Sequence, residues 1–142
     1  GQAWATHGAL IEAYPDTMFS EVEARFRAGA AVSAADYLRK RDRLETLRQQ
    51  WRAEVAAFDT VLIPTAAITP PKVAALAADL DFYRAENLLA LQNTRIGNLL
   101  GLSAITLPTG TPACGIMAMG EAFGEARLLR VAARIERILA LR

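Results

Sequence analysis

Residues 104–120 run Ala104-Ile105-Thr106-Leu107-Pro108-Thr109-Gly110-Thr111-Pro112-Ala113-Cys114-Gly115-Ile116-Met117-Ala118-Met119-Gly120, and they decide the fold class. Two short apolar runs, 104–107 and 116–119, are closed by breakers, Pro108 and Gly120. Such runs, too short for helices and bounded by turn residues, read as strands. A third, Thr60-Val61-Leu62-Ile63, is closed by Pro64-Thr65 and reads as a strand buried on both faces. Strands apolar on both faces belong to sheets covered by helices on both sides. The class is therefore α/β. Three strands make a small sheet beside the usual about five or six, so an incomplete domain is expected.

Outward from the strands, the pattern turns helical. Glu125 to Leu141 repeats Leu128, Leu129, Ala132, Ile135, Ile138 and Leu139 at helical spacing, and reads as a closing helix. Asp81 to Gln92 is expected to be helical, preceded by a loop that carries Pro70-Pro71. The Asp79 and Asp81 pair reads as its polar start. Upstream, a long helix is expected from about Ala34 to Ala57, opened by a capping box, Ser33-Ala34-Ala35-Asp36. Its apolar positions Tyr37, Leu44, Trp51 and Phe58 recur every seven residues, with Leu47 and Val55 between them. Arg39, Lys40, Arg41, Asp42, Arg43, Glu45 and Arg48 cover the remaining surface as a solvated face. Ala3 to Tyr14 reads as a first helix, ended by the Pro15-Asp16 turn signal. Glu21 to Ala28 reads as a second, with Gly29 at the place of a C-terminal cap. The organisation expected is one incomplete domain, a helical segment 1–58 followed by a strand and helix segment 59–142.

The totals bound the function. The 142 residues fit a single domain. A 53% hydrophobic content excludes a disordered chain. Sixteen basic and fifteen acidic residues leave +1, too balanced for attraction to nucleic acid or membrane. No apolar run approaches the ~18–20 residues that span a bilayer. One cysteine, Cys114, and no secretory leader pattern point to a cytoplasmic setting. Gly1 in place of a methionine, running into a helix without a cap, suggests a processed, engineered or truncated beginning.

No complete catalytic set is expected within the chain. His7 is the only histidine and Cys114 the only cysteine, so a metal site lacks ligands. Between Ala113 and Gly115, Cys114 reads as a small buried thiol. The serines are Ser20, Ser33 and Ser103, and the lysines Lys40 and Lys72. Ser33 is better used as a cap, Lys40 lies in the charged face, and Ser103 has no base beside it. The glycine-rich stretch carries neither a P-loop nor a dinucleotide fingerprint, and no cofactor is expected. Six of the nine glycines fall between Gly97 and Gly124, a region read as tightly packed, strongly turned or beside a ligand. Within it lies the most suggestive polar cluster, Gln92-Asn93-Thr94-Arg95 and Asn98. These side chains either bind backbone or line a substrate pocket, where Arg95 would offer a fork to a carboxylate or carbonyl.

The cluster and its flanks resemble a known family. Asn93-Thr94-Arg95-Ile96-Gly97-Asn98-Leu99-Leu100-Gly101-Leu102, then Ala104 to Gly110, is similar to the C-terminal region of amidase-signature enzymes. Phe58 to Thr65 resembles that family's strand leading into a proline-rich loop. Gly115 to Gly120, with Gly124-Glu125-Ala126-Arg127-Leu128-Leu129, resembles its last strand and helix. Ser33 to Tyr37 is also similar. The resemblance implies the C-terminal portion of a large mixed sheet flanked by helices, incomplete alone. It implies hydrolysis of a carboxylic amide through an acyl-enzyme, using a serine nucleophile, a second serine in a cis peptide, a lysine base and a backbone oxyanion hole. Those residues belong to a Gly/Ser-rich signature in the N-terminal half, and no Gly-Gly-Ser-Ser stretch occurs here. The part implied for this chain is to complete the sheet and wall the acyl pocket with Asn93, Thr94, Arg95 and Asn98.

Two departures narrow the expectation. Ser103 stands where the family commonly has proline. The tRNA-dependent amidotransferase subunits carry an acid three positions before the threonine, where this chain has Leu91. A free-standing amidase is therefore expected over a glutamine-specific enzyme. Its expected partners are a small-molecule amide, the remainder of the amidase fold and, in a homodimer, a second copy; neither nucleic acid nor membrane is among them. The alternatives are a non-catalytic binding or scaffolding domain, or a partner subunit lacking the catalytic half.

Overall fold

The computed structural model describes residues 1–15 and 17–140. It divides into two compact units, Gly1–Thr46 and Leu47–Arg142, with the division inside one long helix.

The first unit is helical. It holds α1 (Gln2–Ala13), α2 (Ser20–Ala28), a 3-10 turn (Gly29–Ala31) and the beginning of α3 (Ala34–Val55). As expected, α1 starts at Gly1 without a side-chain cap. The Asp16 half of the turn signal after it lies outside the described residues. Gly29 closes α2 in the right-handed region at φ −65°, not in the left-handed conformation that caps usually take. Its value is closeness: a Cβ there would meet the Gly1 nitrogen at 2.9 Å and the Trp4 Cβ at 3.0 Å. The capping box forms as read. Ser33 Oγ accepts from the Asp36 amide at 3.0 Å and donates to the Asp36 carboxylate at 2.8 Å.

The helix α3 departs from its pattern in one respect. None of its residues is buried, although the seven-residue stripe is present in sequence. It ends at Val55, and Phe58 stands beyond it in a turn, 66% exposed. An apolar stripe specifies a face able to be covered, not one that is.

The second unit is built on three antiparallel strands, β1 (Val61–Pro64), β2 (Ser103–Pro108) and β3 (Gly115–Gly120), in the order β1-β3-β2. The register pairs Val61 with Met119 and Ala104 with Met119, so these three share one face. That face receives α6 (Thr94–Leu100), whose Gly97 lies against Met119 and Ala104. The opposite face, with Ala118, Ser103 and Leu107, packs on α7 (Glu125–Ala140) through buried Leu128 and Ala132. Leu141, the expected end of α7, lies outside the described residues. The result is an α/β arrangement, a small sheet flanked by helices.

Burial on both faces belongs to β3 alone, where Met117, Ala118 and Met119 are all buried. On β1 the pattern alternates, with Val61 and Ile63 half-buried and Leu62 44% exposed. An edge strand gains full cover only if a helix extends over it, and α7 packs on β2 and β3. Two short helices complete the unit. The helix α4 (Val73–Ala78) follows the proline pair and packs on α5 (Leu80–Ala90). Asp79 caps α5, its carboxylate accepting from the amides of Asp81 at 2.9 Å and Phe82 at 3.0 Å. The acidic pair is thus the polar helix start it was read to be.

Candidate functional site

The polar cluster lies between α5 and β2. Gln92 and Asn93 occupy the turn after α5, and Thr94, Arg95 and Asn98 stand on α6. Residues three and four apart share a helix face, so Asn98 neighbours both Thr94 and Arg95. All three are exposed, and Asn93 is half-buried. The cluster therefore presents hydroxyl, guanidinium and amide groups together on one short helix.

Asn93 occupies the N-cap position yet makes no capping bond with its side chain. Its Nδ2 instead donates to the Pro64 carbonyl at 2.7 Å, tying the start of α6 to the end of β1. Thr94 Oγ1 donates to the Leu91 carbonyl at 3.2 Å, within the turn that joins α5 to α6. The far end of α6 is held by a residue the pattern had placed in a solvated face. Arg48 on α3 donates to the Leu99 carbonyl from Nε at 3.1 Å and from Nη2 at 2.9 Å. No local sequence signal marks that contact, since its partners lie 51 residues apart.

A cavity of about 420 Å³ opens at the other end of β1 from Asn93. Val61, Met119 and Leu128 contribute to its apolar wall, and Arg48 also lines it. Phe58 and Phe123 contribute too, and Phe123 is 97% exposed at a positive φ of 59°. Asp59 accepts from Arg127 beside it at 2.7 Å; this bond raises the Arg127 pKa. With both side chains more than half exposed, the pair counts for little in stability. None of Asn93, Thr94, Arg95 and Asn98 lines this cavity.

The remaining nucleophile candidates separate. Ser33 is committed to the capping box. Ser103 is buried at 8% exposure, and its Oγ has no hydrogen-bond partner among the described residues. Cys114 is exposed, not the buried thiol its small neighbours suggested. It is the last residue of the β2–β3 connection, after Ala113 at φ 59° and directly before β3, and its carbonyl accepts from the Thr109 amide at 3.4 Å. His7 rests edge-on against Phe26 at 6.0 Å between ring centres. No group of three metal-ligating side chains converges among the described residues, and no described helix is long and apolar enough to cross a membrane. The clustered glycines are packed or turned: Gly97 is buried, and Gly101 and Gly110 have positive φ.

Comparison with known proteins supplies the context for this geometry. The family model described as Amidase matches residues 7–129. A 2-amino-5-chloromuconic acid deaminase of Comamonas testosteroni is 33% identical over 122 residues, covering 83% of this chain and 26% of that protein. A glutamyl-tRNA(Gln) amidotransferase subunit of Neisseria meningitidis serogroup C (strain 053442) is 30% identical, covering 96% of this chain and 30% of its own length. The same subunit of Prochlorococcus marinus (strain MIT 9303) is 35% identical, covering 82% and 25%. The chain thus spans 25–30% of the length of these relatives.

Proposed function

This chain belongs to the amidase family, and on that premise we propose that it is the C-terminal portion of a cytoplasmic enzyme that hydrolyses a carboxylic amide. In this reading the catalytic residues lie outside residues 1–142. A serine hydroxyl there attacks the amide carbonyl, the amine leaves with a proton, and water releases the acyl group from the serine. Backbone amides stabilise the oxyanion in each half-reaction.

The observation that carries the reading is the exposed polar face of α6 within a family-matched segment. Thr94, Arg95 and Asn98 are assigned to the wall of the acyl pocket. Asn93 adds its Oδ1 while its Nδ2 holds Pro64. A guanidinium recognises a carboxylate or carbonyl with paired donors, so Arg95 favours an amide whose acyl part carries such a group. The relative named for a muconic acid fits that preference. Leu91, where an acid would greet an ammonium or amide donor, favours hydrolysis over glutamine-dependent transfer.

The test is ammonia release by the longer protein from simple primary amides, followed by alanine at Asn93, Thr94, Arg95 and Asn98 singly. A raised KM in the variants supports the pocket. Unchanged kinetics in all four would sink it, and a wholly inactive parent would favour a binding or scaffolding role.

A further inference from the structure

At seven residues, α6 is far below the ~12–15 that a helix needs to persist by itself in water. Whatever orients its polar face must act through its ends and its packed side. The C-terminal end is closed by Gly101 in the left-handed region, φ 69° and ψ 36°. The Gly101 amide donates to the Asn98 carbonyl at 3.2 Å, and the Leu102 amide to the Gly97 carbonyl at 2.9 Å. This is the Schellman arrangement, and it satisfies the carbonyls of Gly97 and Asn98. The carbonyl of Leu99 comes next, and it accepts two bonds from Arg48. A positive group at this end also complements the partial negative charge of a helix C-terminus.

We propose that Arg48 is a positioning residue for the acyl pocket, fixing the C-terminal end of α6 while Asn93 fixes its start on Pro64. The proposal rests on the pocket assignment of α6 made above. Two side-chain anchors to main-chain carbonyls, one at each end, set the tilt and rotation of a helix too short to set its own. Thr94, Arg95 and Asn98 are then presented in one orientation. A shift of about an ångström in such groups is enough to cost binding or rate. Arginine suits the task because its donors lie in one plane and two of them reach the same oxygen.

The test uses Arg48→Met and Arg48→Lys in the longer protein, assayed on acetamide, benzamide and succinamic acid, whichever the parent hydrolyses fastest. Methionine keeps the apolar stem and removes every donor; lysine keeps the charge and its donors, but on a single nitrogen without the planar fork. Arg48→Met is expected to raise KM about tenfold with kcat changed less than about threefold, and Arg48→Lys, which lacks the planar fork, to recover only part of the loss. Amide hydrogen exchange gives the second readout: Arg48→Met should speed exchange in α6 and leave α7 unchanged. A KM within about twofold of the parent, or exchange quickened equally in α6 and α7, would overturn the proposal. Should alanines at Thr94, Arg95 and Asn98 leave KM unchanged, the pocket assignment falls, and exchange alone decides whether Arg48 holds α6. A parent inactive on all three amides would bear on the amidase reading, and exchange would again decide the role of Arg48.

Discussion

Gly97 of α6 lies over Met119 of β3 with room to spare: a Cβ built on it would stand 3.7 Å from the Met119 sulfur and 3.9 Å from the Ala104 Cβ. Those are ordinary contact distances, although Gly97 is buried. Glycine within a helix costs roughly 0.5–1 kcal/mol relative to alanine. Gly97→Ala should therefore stabilise the protein by up to about 1 kcal/mol, seen as a rise of a few degrees in Tm. Gly115→Ala is the contrasting case, because its Cβ would meet Thr106 Cγ2 and Thr65 Oγ1 at 3.0 Å each. There a loss of about 1–3 kcal/mol is expected. Equal losses in both variants would contradict the spacing between α6 and the sheet.

Ser103 offers a second gain. Its hydroxyl is buried at the start of β2 and has no partner among the described residues. Removing an unsatisfied buried polar group recovers part of its desolvation cost, about 1 kcal/mol. Ser103→Ala should raise the urea midpoint without changing the m-value. Ser103→Pro would in addition lose the amide that donates to Glu121 at 3.4 Å, so it should gain less than alanine. A lower midpoint for Ser103→Ala would mean that the hydroxyl has a bonding partner after all.

The strands were legible because each apolar run meets a proline or glycine that ends it, and Pro64, Pro108 and Gly120 are the last residues of their strands. The long helix was legible from its capping box. Which strands are covered on both faces was not, since Leu62 on an edge and Ala118 at the centre belong to equally apolar runs. Nor were α4 and α6, each shorter than two turns and so without a readable period. The polar cluster could be read as a run of residue types, yet the partners of its side chains could not. Nothing local says that Asn93 will reach Pro64 or that Arg48 will reach Leu99. Contacts between residues distant in sequence leave no spacing to read.

At the start of α3, the Asp36 carboxyl is held below its ordinary pKa, first by the Ser33 hydroxyl donating to it and then by Arg39. A carboxylate whose pKa is lower folded than unfolded stabilises the fold above its unfolded value of about 3.9. That contribution is lost as pH falls through the folded value. Ser33→Ala removes the larger cause, so the Asp36 pKa should rise toward ordinary while Arg39 keeps part of the depression. A carboxyl-carbon NMR titration reads the shift directly. No movement of Asp36 would remove the capping box as its source.

Asn93 can be separated from the rest of its cluster by stability alone. Its Nδ2 donates to Pro64 at 2.7 Å, and an ionised aspartate cannot donate at all. Asn93→Ala loses one solvent-exposed side-chain bond, at most about 1 kcal/mol. Asn93→Asp should cost more, because it sets a carboxylate against a carbonyl oxygen that has lost its donor. Alanine at Thr94, Arg95 or Asn98 touches exposed side chains and should stay within about 0.5 kcal/mol of the parent. Thermal unfolding of the five variants supplies the ranking. If it holds, any rise in KM caused by the alanines at Thr94, Arg95 and Asn98 reports lost contacts to substrate, while a rise caused by Asn93→Asp reports a helix turned out of place. If Asn93→Asp proves as mild as Asn93→Ala, the bond to Pro64 is not what holds the start of α6, and Asn93 returns to the pocket wall on equal terms with its neighbours.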